Sequence, residues 1–229
     1  MQLGTHGVHG GSNDVENFWQ PTNVFEDPSA NEVYVAGGYG NRRVIVFDSQ
    51  TGAYKRHWGA YGARPEDGVR PPYDPAAEPS DQFSTVHCVI VSNDGPVYVC
   101  DRVNDRIQVF RKDGTFVMEA RVDPRTYRSG SVWDLAFSRD PGQTYTYAAN
   151  GVDEKIDILL RSTLEVLTSF GAGGRHPGES FGVHNLATDS RGNFYTAETH
   201  TGARVQRFLC KGVGPVTEAD RGVVWPEGR

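Results

Sequence analysis

The sequence predicts an all-β chain built as a β-propeller of four-stranded blades. Three observations point there. The 229 residues include 27 Gly and 13 Pro, above the roughly 12 % that this pair makes up in an average protein. Aromatic residues are plentiful, with 11 Phe, 10 Tyr and 4 Trp, although only 37 % of the chain is hydrophobic. No stretch sustains a capped 3.6-residue period, whereas short alternating runs such as Val44-Ile45-Val46-Phe47 and Ile107-Gln108-Val109-Phe110 recur.

A repeat built from those runs justifies each element in turn. One pattern occurs four times: a short strand, a polar turn, a Val/Tyr/Thr-rich strand, a polar loop, a Val/Ile/Phe-rich strand, an Asp-Gly-like turn and a fourth strand. The copies open at Pro21-Thr22-Asn23-Val24, Val86-His87-Cys88-Val89, Val132-Trp133-Asp134-Leu135 and Val183-His184-Asn185-Leu186. "DSQTG", "RKDG" and "SRDPG" supply the turn chemistry. Four-stranded units recurring at about 40–50 residues are the signature of propeller blades. The expected blades cover 19–62, 83–123, 131–172 and 180–212. A leader or edge strand at 1–18 precedes them, and a tail at 213–229 follows. The insertion Ala63 to Gln82, with five prolines, reads as a surface loop between the first two blades.

Charge and motifs exclude several classes. With 23 Lys+Arg against 29 Asp+Glu, the net charge of −6 is not the footprint of a nucleic-acid binder. No apolar run approaches the roughly 20 residues of a membrane helix, so no membrane span is expected. Neither a G-x-S-x-G elbow nor a phosphate loop is present. Three cysteines are too few for a disulfide framework. A hairpin turned at Ser92-Asn93-Asp94-Gly95 would put Cys88 opposite Cys100, and the expectation there is a pair of buried thiols. Location depends on what precedes the chain: secreted or periplasmic with an upstream signal, cytoplasmic otherwise.

A propeller carries equivalent residues of successive repeats to the same distance from one axis. Thr22, His87, Trp133 and His184 form one such ring, and Tyr39, Arg102, Asn150 and Thr199 a second. Histidines in alternate blades with Arg and Tyr nearby make a candidate channel site, weighed against four structural residues. His6 and His9, in "GTHGVHGG", read as part of a flexible leader.

These repeats resemble NHL-repeat propellers, and among them the peptidyl-α-hydroxyglycine α-amidating lyases. The matching stretches are "FWQPTNVFEDPSANEVYVAGGYGNRRVIVF", "QFSTVHCVIVSNDGPVYVCDRVNDRIQVF" and "SFGVHNLATDSRGNFYTAETHTGARVQRF". The resemblance implies a six-bladed ring of which the four blades are the last. It also implies an axial zinc held by three histidines, His87 and His184 being two of them. Tyr39 would be the base acting on the substrate hydroxyl, and Arg102 would orient the substrate. A zinc with three neutral imidazoles keeps a position open for a hydroxyl or carbonyl oxygen. The implied reaction is collapse of a carbinolamide to an amide and glyoxylate, on a peptide or small ligand in the axial channel. The alternative is a non-catalytic NHL propeller binding a protein or small ligand on its loop face.

The chain departs from that family at named positions. The third zinc ligand would lie in blades before the first one here, which leaves a late start in a longer protein, self-association of two chains, or closure of four blades as the expected ways to complete the ring. Asn185 stands where the family has an Asp that binds calcium, so no calcium is expected. Trp19 and Gly40 stand where the family has disulfide partners.

Overall fold

The computed structural model describes residues 2–69 and 72–214, and within them four antiparallel sheets form a four-blade β-propeller. The first blade comprises β1 (Asn23–Asp27), β2 (Glu32–Ala36), β3 (Val44–Asp48) and β4 (Tyr54–Trp58). The second comprises β5 (Val86–Val91), β6 (Val97–Asp101), β7 (Arg106–Phe110) and β8 (Phe116–Arg121). In the third are β9 (Asp134–Phe137), β10 (Tyr145–Asn150), β11 (Lys155–Leu160) and β12 (Glu165–Phe170). The fourth holds β13 (Val183–Thr188), β14 (Phe194–Glu198) and β15 (Val205–Phe208). Each sheet is a meander with strands in chain order. No α-helix occurs among the described residues, and none of their helical turns is long and apolar enough to cross a membrane.

The aromatic surplus is spent between blades. Tyr34, Val44, Val46 and Trp58 of the first blade pack against Val89, Val97, Val99 and Phe110 of the second. Tyr98, Ile107 and Val109 meet Leu135, Phe137 and Leu159 across the next interface. Trp133, Ala149 and Ile156 meet Val183, Phe194 and Phe208 across the last. Each large side chain buried this way contributes about 1.5–3 kcal/mol. Turns between consecutive strands of the blades repeat one device. Asp48, Asp113, Asp140 and Asp189 each accept backbone N–H groups two to four residues on, at 2.8–3.2 Å, which is Asx-turn chemistry.

A cation at the mouth of the third strand clasps the segment entering its own blade. Arg106 donates to Asp101 Oδ2 at 2.8 Å and to the Gln82 carbonyl at 3.2 Å. Lys155 pairs with Asp123 at 2.8 Å. Arg204 binds Glu198 at 2.7 Å and the carbonyls of Gly174, Arg175 and Glu179. Arg43 has no carboxylate of its own blade to hold. It is fully buried and donates to the carbonyls of Ser12, Asp14 and Asn17. Leu3 and Phe18 then lie on Val33, Val35, Ile45 and Phe47, the face of the first blade turned away from the second.

Three expectations are corrected. The leader forms turns and no edge strand between residues 2 and 18, with Gly4 and Gly7 at positive φ. Arg43 holds its second half at Ser12, Asp14 and Asn17, while His6 and His9 stay exposed. The fourth copy has three strands among the described residues. After Phe208 the chain reads "LCKGVG", which lacks the alternation a fourth strand needs. Cys88 and Cys100 face each other across β5 and β6, as the hairpin register requires. They are joined as a disulfide rather than standing as two thiols. Their Cα atoms lie 4.9 Å apart, inside the range a disulfide spans. Cys210 is a free, exposed thiol. Of the expected tail at 213–229, all but residues 213 and 214 lies outside the described residues.

Candidate functional site

His87 and His184 owe their direction to the same irregularity. In β5 the pairing register shifts between Val86 and Cys88, and in β13 between Val183 and Asn185. Each histidine is thus the extra residue of a β-bulge, the device that re-aims a side chain out of the sheet's alternation. Thr22 and Trp133, at the same repeat position, directly precede β1 and β9 instead. The two imidazole rings come together with centroids 4.8 Å apart. Trp133 lies beside both, 5.7 Å from His87 and 5.2 Å from His184.

The hydrogen bonds fix the tautomers. Nδ1 of His87 donates to the Trp133 carbonyl, which leaves the lone pair on Nε2. That atom lies 3.2 Å from the Tyr39 hydroxyl, which donates to it. His184 Nδ1 donates to Asn185 Oδ1 at 2.8 Å, and Asn185 is tied through its amide to Asp134 at 3.4 Å. Burial, and after it the Arg102 guanidinium, pushes His87 down to about 3. Burial also lowers His184, helped by Arg102 and His200 and opposed by the Asn185 hydrogen bond. Both rings are neutral imidazoles at neutral pH.

Arg102 completes the cluster from the 3-10 turn Arg102–Asn104 that follows β6. Its Nη1 donates to the Tyr39 hydroxyl at 3.2 Å. The guanidinium lies over the Trp133 ring at 4.6 Å and the Tyr39 ring at 5.2 Å, cation–π distances that hold it without an anion. Arg102 is 7 % exposed. Among the described residues no carboxylate comes within ion-pairing distance of it, and its buried Nε has no hydrogen-bond partner. Buried cations are normally paired. A cation held on two aromatic faces with a donor to spare has the chemistry to accept an anion.

The structure brings together Tyr39, His87, Arg102 and His184, all four candidate side chains. The rest of the two rings does otherwise. Thr22 spends its hydroxyl on the Val86 carbonyl at 2.7 Å. Asn150 is fully buried and donates to Asp123 and Asp153, away from Tyr39 and Arg102. It ends β10 as Asp101 ends β6, so its counterpart is Asp101 and not Arg102. Thr199 is held by its own turn, N–H to the Gly182 carbonyl at 2.8 Å. Trp133 packs against His87, His184 and Arg102, a place in the cluster that spacing alone undervalued. Its place in the first ring was the available signal.

Zinc has to be tested against these donors. Both imidazoles present an unprotonated Nε2 with Nδ1 tied to a second partner, the arrangement of metal-ligating histidines. A catalytic zinc takes three protein ligands, and among the described residues no group of three or more His, Cys, Asp and Glu side chains could hold a metal. The described residues do not complete a zinc site. Asn185, in place of a calcium-binding Asp, is occupied with His184 and Asp134.

No family model matches the sequence. The chain is 29 % identical over 200 residues to the peptidyl-glycine alpha-amidating monooxygenase of Mus musculus, covering 82 % of this chain and 18 % of that protein. To form B of the same enzyme from Xenopus laevis it is 29 % identical over 202 residues, covering 83 % of this chain and 20 % of that protein. The chain is a β-propeller similar in sequence to these enzymes, and it spans about a fifth of the length of the relatives it matches. Solved structures agree on the fold alone. Hydrazine synthase of Kuenenia stuttgartiensis superposes with a TM-score of 0.57 at 15 % identity, covering 87 % of this chain and 46 % of that one. U3-55K gives 0.57 at 14 % identity, covering 82 % and 51 %.

Proposed function

We propose that the Tyr39/His87/Arg102/His184 site binds N-acyl-α-hydroxyglycines and cleaves them to the amide and glyoxylate. The observation that carries the reading is Arg102, a buried guanidinium with no ion-paired carboxylate among the described residues, donating to a tyrosine hydroxyl that also meets an imidazole lone pair. The substrate's carboxylate supplies the missing anion, through charge-assisted hydrogen bonds. Its carbinol hydroxyl then lies against Tyr39.

Proton movement follows from what is already aligned. Tyr39 oxygen takes the carbinol proton while its own proton passes to His87 Nε2. The carbinol C–O becomes C=O, the C–N bond breaks with its electron pair staying on nitrogen, and the proton returns to that nitrogen. Arg102 offers a donor to the phenol oxygen throughout, so charge developing there meets a preorganised partner. Burial makes a protonated His87 costly, so the proton does not rest there, and its passage to the departing nitrogen is concerted with C–N cleavage. Zinc, attached to this reading by the resemblance, would need a donor beyond the described residues, and no step is drawn through it.

The test is glyoxylate release from N-benzoyl-α-hydroxyglycine, with zinc salt and with chelator. A positioned general base is worth about 10²–10⁴ in rate, so Tyr39→Phe is expected to lower kcat by about 100-fold or more with little change in KM. Arg102→Met is expected to act mainly on KM. Absence of release by the wild type under both conditions overturns the reading and leaves a ligand-binding propeller without catalysis.

A further inference from the structure

A second cavity opens beside the site, and Tyr39 belongs to both. It encloses about 530 Å³ between the leader and the loop after the first blade, and its lining includes His9, Trp19, Tyr39, Gly40, Asp67 and Gly68. The leader is pinned over it. Ser12 N–H donates to Asp67 Oδ2 at 2.8 Å, Asn13 to the Pro65 carbonyl at 2.8 Å, and Asn41 to the Gly10 carbonyl at 2.9 Å. Close approach explains the glycines. A Cβ at Gly11 would lie 2.7 Å from Asp67 Oδ2, and one at Gly40 would lie 2.4 Å from Trp19 Cγ. With no side chain at position 40, the indole of Trp19 settles beside Tyr39. It stays 47 % exposed, with the His9 ring 6.1 Å away at a 38° tilt.

We propose that this cavity is the subsite for the acyl residue of the substrate, the one preceding the hydroxyglycine, and that Trp19 makes it select an aromatic side chain. The inference rests on the carbinolamide reading above. A carbinol placed at the Tyr39 hydroxyl has two arms. The carboxylate arm goes to Arg102, on the side of the second and third blades. The acyl arm leaves on the other side of Tyr39, where the cavity opens. Its polar carboxylate is already spent, since both oxygens of Asp67 accept from Ser12. Arg42 also lines the cavity, but it is 6 % exposed and donates to the Gly68 carbonyl at 2.7 Å. The open surfaces left to an incoming side chain are the exposed indole face and the tilted imidazole, which suit a flat ring.

The experiment compares kcat/KM for N-acetyl-phenylalanyl-α-hydroxyglycine and N-acetyl-alanyl-α-hydroxyglycine. Alongside it, calorimetric binding is measured for N-acetylphenylalaninamide and N-acetylalaninamide, which need no chemistry. The phenylalanyl compounds are expected to be favoured about tenfold in both measurements, the kinetic part lying in KM. Trp19→Ala should collapse both ratios to near one, while Trp19→Phe, which keeps a ring over Gly40, should retain most of the preference. Equal ratios in wild type and Trp19→Ala overturn the subsite even if turnover is seen. Aromatic-selective, Trp19-dependent binding of the amides without turnover sustains the subsite and fails the carbinolamide reaction instead.

Discussion

The second and fourth blades carry the same histidine in the same bulge, yet their surroundings differ sharply. In the second blade β6 and β7 are buried at every residue, because a neighbouring blade covers each face. In the fourth blade β13 and β15 alternate, with Asn185, Ala187, Val205 and Arg207 exposed. Among the described residues, one face of that sheet meets another blade, the third. Continuous burial and alternation are thus reports on how many faces of a sheet are covered, not on the repeat itself. The site straddles the two environments: His87 is 4 % exposed and rigidly bonded, and His184 is partly open and steered through Asn185.

Breaking the clasp in each blade should expose the contrast most strongly. Arg106 is 1 % exposed and ion-paired with fully buried Asp101. Arg106→Met is expected to cost about 3–5 kcal/mol, because it removes the cation from a fully buried carboxylate and leaves Asp101 with the neutral donors of Ser84, Thr85 and Asn104. Glu198 is as buried as Asp101, but the Arg204 side chain is 26 % exposed, so water reaches this pair, and Gln206 still donates to Glu198 at 3.0 Å. Arg204→Met should cost about 2 kcal/mol. Urea midpoints of the two variants measure the difference. Equal losses would contradict the account of the two blades.

The disulfide comes next. Cys88 and Cys100 close a loop with a sequence separation of 12, and the double change Cys88→Ser/Cys100→Ser should lower stability by about 3 kcal/mol. The same loss should follow reduction of the wild type, read by thermal unfolding with and without dithiothreitol.

How much of this was legible in the sequence depends on which interactions repeat. The blades were legible because each reuses one strand-and-turn pattern. Tyr39, His87, Arg102 and His184 were legible because an axis gathers equivalent positions. Asn150 was misplaced by one position: the turns after β6 and β10 are equally long, so Asn150 aligns with Asp101 and Gly151 with Arg102, a one-residue offset that strand-rich sequence alone does not fix. The seating of the leader was hidden, since Arg43 holds backbone carbonyls that no side-chain pattern announces. The disulfide was hidden for a different reason. Register shows that two cysteines face each other, and says nothing of their oxidation.

A pH effect sharpens the comparison further. Asp105, fully buried at the exit of the 3-10 turn in the second blade, is pushed up by burial from 3.8 to about 7 despite the Ser131 N–H at 2.7 Å. A carboxyl raised in the folded state binds its proton more tightly there than in the unfolded chain. Its contribution is therefore full below about pH 4 and is lost as pH rises to about 7. Asp105→Asn should flatten that decline between pH 5 and 8, and Asn tolerates the left-handed backbone at this position. Urea midpoints at the two pH values check it; an unchanged slope would mean that Asp105 is not a source of the decline. The smallest effect is expected on the open face: Val205→Thr, at a site 69 % exposed, should shift stability by no more than about 0.5 kcal/mol.

The most direct test of the central claim is turnover itself. Purified chain, supplied with N-benzoyl-α-hydroxyglycine and zinc salt, should release glyoxylate and benzamide in equal amounts. That release should fall by about 100-fold or more in Tyr39→Phe. Glyoxylate release that is unchanged by Tyr39→Phe, or no release above the uncatalysed rate, would contradict it.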